Sequence, residues 1–441
     1  MKNRLFRQIL PILFLILSLA LTLSACTGPA GPAGESGTPG EPGAAGTGIE
    51  QAEINDKGEL ILTYTDGTRV NLGVIRPEAS ENPEDEDPIL DFYPLPDGTY
   101  GVKMGKAEYL TTVTVPESYN GVAVTQILDS AFKNAKIRSI ELPDSILSIG
   151  EEAFLGCASL SSVKIGNGVR HVGESAFRDC ISLINVKLGE SVTSIASSAF
   201  RGCNSLAKIS IPASVTTVGD CAFYDCITLS ELTLSEGLLS IGPSAFHGCT
   251  GLAEVELPDS LLTLGKGAFN GCRSLTSISV SQANTAFSSE GGILYNKEKT
   301  EILAVPQNLI GTVSLPEGIT SVGSGTFSGC TGITSVIFPE SVTEIGSYAF
   351  NGCTTLASVV LPEDLSSIGE GAFYGCRGLV SISLGKGLSS VGSNAFSGCT
   401  GLRVVYYSGS ESFWRAIGIY PWGNEALSSA TIFYDHVPTE N

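Results

Sequence analysis

The sequence predicts a repeat solenoid of the α/β class with 23-residue coils, preceded by a glycine-periodic stalk and a small β module. Three observations predict this fold: a cysteine that recurs every 23 residues, glycine at every third position near the N-terminus, and alternating apolar residues between these two regions. A fixed internal period is typical of solenoids, in which each coil contacts only its neighbours. The 441 residues are therefore assigned to one long array with N-terminal attachments.

Residues 1–25 have the layout of an export signal. Lys2, Arg4 and Arg7 precede an apolar run from Ile9 to Leu23, which is short for a membrane-spanning helix of about 20 residues. The run ends in Leu-Ser-Ala before Cys26, which resembles the lipobox of bacterial lipoproteins. The resemblance implies cleavage before Cys26, attachment of lipid to its sulfur and a location on the bacterial cell surface. An ordinary secretory signal with an unrelated cysteine is the alternative.

Residues 26–48 contain a collagen-like stalk. Glycine occupies every third position from Gly28 to Gly46, with prolines in several of the triplets. Only glycine fits at the axis where three polyproline II chains meet, so the strict period predicts a short triple helix and hence a homotrimer. A flexible tether rich in glycine and proline remains the alternative.

Residues 49–75 predict a small β module, and residues 76–90 predict a linker. Apolar residues alternate at Leu60, Leu62 and Tyr64, and turn residues separate the short strands. A sheet this small would gain by associating with copies of itself, so we interpret it as a trimerisation module. The following stretch is acidic and rich in proline, which indicates a solvated spacer. A metal site formed by its carboxylates is the alternative, although nothing in the sequence positions them.

Residues 91–441 are dominated by one repeated unit, seen clearly between Leu252 and Cys272. Its cysteine recurs every 23 residues from Cys157 to Cys272 and again from Cys330 to Cys399, and a phenylalanine three positions earlier keeps the same step. Alternating apolar residues predict a strand, a proline ends it, and the Ala-Phe-x-x-Cys segment predicts a short helix. Each coil is expected to consist of a strand, a turn and a helix.

The unit resembles the BspA-type leucine-rich repeat, whose pattern runs strand, Leu-Pro, Ser-Val-Thr-x-Ile-Gly and x-x-Ala-Phe-x-Gly-Cys. The match extends from about Val113 to Tyr407, more than half of the chain. The resemblance implies a leucine-rich repeat solenoid that binds host or neighbouring-cell proteins. Between Cys272 and Cys330 the segment from Phe287 to Tyr295 interrupts the period, and we expect a local extension there.

Both ends of the array are expected to be capped, because an open solenoid end exposes apolar strands and unpaired backbone groups. The candidate caps are residues 91–109 and 411–434. The second cap holds Trp414 and Trp422 and predicts a helix followed by a strand. Ligand binding by these exposed aromatic residues is the alternative.

Composition and motifs favour binding over catalysis. The formal net charge of −20 disfavours nucleic acid as a partner. His171, His247 and His436 form no pattern typical of a catalytic triad or a metal site, so no enzyme activity, metal or cofactor is predicted. Cys221 and Cys226 are closely spaced; we interpret them and the repeated cysteines as buried thiols, with a disulfide between these two as the alternative.

The solvent-facing strand positions are the candidate binding residues, because the repeat determines their geometry but leaves their identity free. They change along the array from basic through acidic to apolar, and the candidates are Lys164, Lys187, Glu256, Ile337, Val360 and Tyr406. The leading hypothesis is an adhesin-like surface protein, tethered to the membrane by its lipid, that binds extracellular or host proteins, or glycans. A structural envelope or surface-layer component without a specific ligand is the alternative.

Overall fold

The computed structural model describes residues 48–54, 59–74, 89–105 and 111–436. The chain divides into two compact units, Met1–Glu86 and Asp87–Asn441. The predicted export signal, lipidated Cys26 and collagen-like stalk lie outside the described residues, as do residues 76–88 of the predicted linker.

The first unit contains an antiparallel sheet of β1 (Ile49–Ile54), β2 (Glu59–Tyr64) and β3 (Arg69–Val74), in that order. A tight turn joins β2 to β3, where Gly67 has a φ of 82° and its N–H donates to the Tyr64 carbonyl at 2.8 Å. Among the described side chains of this sheet, only Leu62 is buried. The described side chains of this sheet therefore bury little apolar surface by themselves.

Each regular coil of the second unit has two short strands followed by a series of turns. The first strands of successive coils lie side by side and form the front row. The second strands form a second row, and the Ala-Phe-x-x-Cys turns form the turn side. The front row consists of β6 (Thr112–Thr114), β9 (Ser139–Glu141), β11 (Ser162–Lys164), β13 (Asn185–Lys187), β15 (Lys208–Ile211), β17 (Glu231–Leu234), β19 (Glu254–Leu257), β21 (Ser277–Val280), β25 (Ile310–Ser314), β27 (Gly332–Ile337), β29 (Ser358–Val360), β31 (Ser381–Leu384), β33 (Val404–Tyr407) and β35 (Thr431–Phe433).

The second row is broken once, between β20 and β26, whereas the front row is divided into four separately hydrogen-bonded sheets. Strands that pair within either row do so in parallel, one coil apart. The second row consists of β8 (Val122–Ile127), β10 (Ser148–Ile149), β12 (His171–Val172), β14 (Ser194–Ile195), β16 (Thr217–Val218), β18 (Ser240–Ile241), β20 (Thr263–Leu264), β26 (Ser321–Val322), β28 (Glu344–Ile345), β30 (Ser367–Ile368), β32 (Ser390–Val391) and β34 (Gly418–Ile419).

Identical side chains stack on one another inside the array. The phenylalanine rings of successive coils lie nearly parallel, with centroids 4.9 Å apart for Phe154 and Phe177 and 5.2 Å apart for Phe200 and Phe223. Such an offset stack adds to the stabilisation from burial. Glycine follows the second strand because the coils approach closely there. A Cβ on Gly265 would lie 2.0 Å from the backbone nitrogen of Pro243 in the preceding coil.

The prediction of an α/β class, with a helix in every coil, is wrong. The Ala-Phe-x-x-Cys segments are turns in which residues such as Ser175 and Asp179 have left-handed φ values of 53° and 58°. Their N–H groups reach the next coil, as where the Phe177 N–H donates to the Ala199 carbonyl at 2.7 Å. A helix would direct these groups along its own axis. The described helices are α1 (Glu411–Ala416) and α2 (Glu425–Ser429), both near the C-terminus.

An insert of three antiparallel strands interrupts the array, where a local extension was expected. It consists of β22 (Phe287–Glu290), β23 (Ile293–Asn296) and β24 (Ile302–Ala304). The buried apolar residues form two clusters that meet at β23, where Leu294 belongs to the first cluster and Tyr295 to the second. We call residues 111–280 the N-terminal half of the array and residues 305–436 the C-terminal half.

The two ends of the array differ in construction. At the start, β4 (Leu90–Pro94) and β5 (Tyr100–Met104) form an antiparallel hairpin whose second strand pairs in parallel with β8, and the short strand β7 (Ser118–Tyr119) also pairs with β8. At the other end, α1, β34, α2 and β35 alternate, and the two strands extend the second row and the front row. The C-terminal segment thus contains two helix and strand pairs where one was predicted.

Candidate functional site: the front face

The front face is the outward surface of the front row. In β11 the side chain of Val163 points into the core and is 4% exposed, whereas Ser162 and Lys164 on either side of it are exposed. The same alternation recurs in β13, where Val186 is buried between Asn185 and Lys187. Parallel register then places equivalent outward residues of successive coils beside one another.

The structure places five of the six candidate residues on this face with exposed side chains: Lys164, Lys187, Glu256, Ile337 and Val360. The sixth, Tyr406, is half-buried because the rings of Phe433 and His436 cover it, with centroids 5.6 and 4.5 Å from its own. Ser383, at the equivalent position between Val360 and Tyr406, is buried.

The N-terminal half of the front face is charged. Lys164 donates a hydrogen bond to the Glu141 carboxylate on the neighbouring strand and forms an ion pair with it. This hydrogen bond raises the pKa of Lys164. Lys187 lies in register with Lys164 one coil further on. Lys208 lies on the next strand and is in register with Glu231, so the charge on the front face changes sign between these two residues.

The C-terminal half of the front face is apolar. Ile337 and Val360 are 57% and 53% exposed and occupy equivalent positions of consecutive coils. Beyond Ser383 follow Tyr406 and Phe433, which are in register and whose rings stack. We call Ile337, Val360, Tyr406 and Phe433 the apolar stripe.

Phe433 was missed by the sequence analysis, although it is 49% exposed and continues the apolar stripe. It lies 27 residues after Tyr406 instead of 23, because α1 and α2 lengthen the last coil. The alternation of exposed Thr431, half-buried Ile432 and exposed Phe433 is the signal that could have identified another front-row strand.

The turn side carries a second group of stacked side chains. The guanidinium carbon of Arg201 lies 4.8 Å from the centroid of the Tyr224 ring, and Tyr224 stacks on His247 at 4.5 Å. These residues occupy equivalent positions of three consecutive coils, so the stack follows from the one-coil step. No sequence motif predicted this stack.

The described histidines have three different settings. His171 lies with its Nδ1 3.3 Å from the Ser194 hydroxyl, His247 stacks on Tyr224, and His436 contacts Tyr406. Among the residues that the structure describes, no group of three or more His, Cys, Asp or Glu side chains is arranged to hold a metal ion.

The repeated cysteines are buried free thiols, and Cys221 and Cys226 are also both free. The repeated thiols donate to the carbonyl of the phenylalanine in the preceding coil, as from Cys180 to Phe154 at 3.1 Å, except that Cys330 donates to the Pro306 carbonyl at 3.6 Å. Burial raises the pKa of Cys226 to about 12. Since the thiolate is the nucleophile and the metal ligand, these thiols serve packing. Cys221 is half-buried.

No helix within the described ranges is long and apolar enough to cross a membrane.

Comparison with known proteins identifies the repeat. The family model of the BspA type leucine rich repeat region, with six copies, matches residues 125–236, 219–311 and 305–415. A leucine rich cell surface protein from Faecalibacterium prausnitzii is 29% identical, with a TM-score of 0.61 and coverage of 75% of this chain and 96% of that chain. The pneumococcal vaccine antigen PcpA, at 20% identity, has a TM-score of 0.56 and coverage of 79% and 97%, which shows the fold alone.

No curated protein matches the chain. The three ranges matched by the family model together extend from residue 125 to residue 415, which is more than half of the 441 residues. This protein therefore belongs to the BspA-type leucine-rich repeat family.

Proposed function

We propose that the protein is an adhesin-like binding protein of the bacterial cell surface, anchored by lipid on Cys26, that uses its front face to bind host or neighbouring-cell proteins or glycans. The family assignment supports a binding role, and the similar structure from Faecalibacterium prausnitzii is described as that of a cell surface protein. The lipid anchor is supported by the lipobox-like sequence that ends at Cys26.

The observation that supports binding most strongly is the apolar stripe. Large exposed apolar patches are uncommon on monomeric soluble proteins, and they mark interaction sites when polar residues surround them. On one side the stripe is bordered by the other outward residues of the same strands, which are Ser335, Ser358 and Ser381, then Val404 and finally Thr431. It therefore resembles the apolar centre and polar rim of a protein interface.

The geometry of the stripe favours a broad partner surface over a small ligand. Adjacent strands are about 4.8 Å apart, so the five coils from Ile337 to Phe433 extend over roughly 19 Å. Side chains on a row of strands form an open surface instead of the concave pocket typical of small-molecule sites. We therefore expect the partner to be a protein, or a glycan long enough to contact several coils.

Replacing Ile337 and Val360 by serine tests this proposal. Serine already occupies the equivalent positions 314 and 383, so the I337S/V360S chain is expected to fold normally. Loss of two large apolar contacts at the centre of an interface is expected to weaken binding at least about tenfold. The measurement is saturation binding of the full chain to immobilised extracellular-matrix proteins and glycans.

The matched control replaces two exposed leucines outside the front face, in L239T/L262T, where the equivalent positions 193 and 216 are threonine. This chain should bind as the unchanged protein does. Equal binding by I337S/V360S and the unchanged protein, or no saturable binding by the unchanged protein to any immobilised molecule, would contradict the proposal.

We further propose that the chain is a homotrimer joined by its collagen-like stalk and β module. The single buried side chain in the sheet of β1 to β3 supports association, because the described residues bury little by themselves. The lipid anchor is tested separately: labelled fatty acid should be incorporated into the unchanged chain but not into C26A. At about 1 M salt, where ion pairs between front faces are screened, a secreted chain starting at residue 27 should sediment as a trimer, and one starting at residue 76 as a monomer. A monomer in both cases would exclude the trimeric stalk.

A further inference from the structure

Five charged side chains on the N-terminal half of the front face lack a partner within the chain. All five are exposed: Lys187, Lys208, Glu231, Glu254 and Glu256. Within the described part of the chain, none of them takes part in an ion pair or a side-chain hydrogen bond. Lys164 differs from them because it is already bound to Glu141.

The signs of these charges change once along the array. Lys187 lies on β13 and Lys208 on β15, whereas the glutamates lie on β17 and β19. Lys208 and Glu231 are directly in register across the boundary. Since neighbouring strands are about 4.8 Å apart, Lys187 and Glu256 lie three steps, roughly 14 Å, apart along the array.

The one-coil step continues from β17 to β19 although these two strands are not hydrogen-bonded to each other. Contacts on the turn side maintain it. The Phe223 N–H donates to the Ala245 carbonyl at 2.7 Å, and the Cys249 thiol donates to the Phe223 carbonyl at 3.2 Å. Glu256 therefore occupies the position, two coils further on, that corresponds to Ser210.

Four of these five charges are complementary under a two-fold rotation, and the fifth, Glu254, then faces Asn185 of the second copy. Consider an axis parallel to the strands that lies in the interface midway between β15 and β17. The rotation places a second copy face to face with the first and reverses its order of coils. Lys208 then faces Glu231 of the second copy, and Lys187 faces Glu256 of the second copy. Because a two-fold interface contains every contact twice, the arrangement forms four ion pairs.

Other arrangements of the same face are unfavourable. A second copy facing the first with its coils in the same order brings the lysine-bearing strands opposite each other and the glutamate-bearing strands opposite each other, and like charges across an interface repel. In the reversed order Ser210 and Thr233, the other outward residues of β15 and β17, also face each other across the interface. Both are small, so the charged side chains on either side of them can meet.

We propose that the charged N-terminal half of the front face is a self-association surface, on which a second copy of this chain docks with its coils in reversed order. The contact is polar, so its affinity falls as salt screens the ion pairs. The reversed order puts the N-terminal ends of the two arrays at opposite ends of the pair. If the proposed lipid anchor holds, this arrangement suits copies anchored in two facing membranes.

Cross-linking between chains that each carry one introduced front-face cysteine tests the reversed order. Ser162 and Ser277 lie equally far from the axis on opposite sides, so Ser162 of one copy faces Ser277 of the other. Packed sheets are about 10 Å apart, within reach of a short bis-maleimide, whereas two Ser162 positions would be roughly 24 Å apart along the array. The full chain is prepared as S162C with one epitope tag and as S277C with another, both with C221S; serine occupies the equivalent positions 175, 198 and 244.

The expected product links the two tags and forms only in the mixture. It should decrease at least about tenfold with K208E or with E231K, because each reversal makes two attractive pairs repulsive. The K208E/E231K chain exchanges the two signs and should restore the product. The product should also disappear at about 1 M salt, where the Debye length is about 3 Å.

K266E and E174K are the matched controls, because they reverse exposed charges outside the front face and should leave the product unchanged. Thermal unfolding of every variant verifies that the fold is retained. The proposal is overturned by three results: no product in the mixture, a product insensitive to K208E, or equal cross-linking of S162C with itself. The last result would indicate parallel association, as in the trimer proposed above. Partner binding through the apolar stripe is measured separately with I337S/V360S and does not depend on this outcome.

Discussion

The N-terminal and C-terminal halves of the array have the same interior and different front faces. The stacked rings are 5.2 Å apart between Phe223 and Phe246 in the first half and 5.2 Å apart between Phe350 and Phe373 in the second. On the front face, however, the first half has lysines and glutamates where the second has Ile337 and Val360. The repeat thus constrains only the residues that point inward, and each half can acquire its own binding surface.

The insert between the halves adds a structural difference. The buried residues on its two sides form separate clusters, whereas within each half the cluster is continuous. Both rows of strands are interrupted at the insert. Since solenoid stability is approximately a sum of coil and nearest-neighbour contributions, a weak junction can allow the halves to unfold separately.

The largest expected effect comes from removing one ring of the phenylalanine stack in either half. Phe223 and Phe373 are both fully buried, so F223A and F373A should each lower the free energy of unfolding by about 3–5 kcal/mol. Each loss should appear first in its own half, because coils contact only their neighbours. Denaturant-dependent hydrogen exchange, resolved by half, measures this.

Y374A serves as the control for F373A, because Tyr374 follows Phe373 directly but is 46% exposed. Its effect on stability should be much smaller. Equal loss of protection in both halves after F223A would show that the array unfolds as a single unit, and the comparison of the halves would then concern their surfaces alone.

A smaller effect is expected from Asn284, which is fully buried at the junction. Its side-chain nitrogen donates to the carbonyls of Pro258 and Leu261 at 3.0 Å, and its oxygen accepts from the N–H groups of Ala286 and Phe287. N284A leaves these groups without partners. Each group that water cannot reach lowers the free energy of unfolding by about 1–3 kcal/mol. We expect a loss of about 3 kcal/mol by chemical denaturation.

The structure also predicts where the N284A effect lies. Protection should be lost in the insert and in the adjoining coils, while the ends of the array remain protected. N308A is the control, since Asn308 is exposed and its side chain forms no hydrogen bond among the described residues. An N284A effect as small as that of N308A would mean that water satisfies the exposed groups.

The smallest effect concerns thiol reactivity. Burial raises the pKa of Cys272 in the first half and of Cys399 in the second to about 12. At pH 8 the first of the described cysteines to be alkylated in the folded chain should therefore be half-buried Cys221, and the repeated cysteines should react only as their half unfolds. Mass spectrometry after brief labelling at increasing denaturant reports each half separately. Fast labelling of Cys399 in the folded chain would contradict its burial.

The same pKa shifts predict a pH dependence of stability. In the folded chain, burial keeps four thiols protonated up to about pH 12, whereas unfolded thiols ionise near pH 8.5; these four are Cys226, Cys272, Cys330 and Cys399. The unfolded chain therefore releases more protons as the pH rises above about 8.5, and stability falls in that direction. Below that pH the contribution of the thiols is complete and constant.

Much of the array could be predicted from the sequence, because stacking requires the same inward residue at the same step in every coil. The 23-residue period, the strand around Val163 and Val186, and the interruption after Cys272 are visible in the sequence and present in the structure. The helix predicted for each coil was wrong, because the spacing of Ala, Phe and Cys fits a helical face but also fits turns with left-handed residues. Hydrogen bonds to the next coil decide between a helix and these turns. Such bonds cannot be inferred from the sequence of a single repeat unit.

For the candidate site, the sequence by itself determined which residues alternate outward and in what order their chemistry changes. Only the tertiary structure decided which of them are available. Tyr406 is half-buried beneath Phe433 and His436, Lys164 is bound to Glu141, and Phe433 joins the apolar stripe because α1 and α2 lengthen the last coil. The physical reason is that a repeat period specifies contacts between equivalent positions, whereas contacts made by caps and inserts depend on where the folded chain returns.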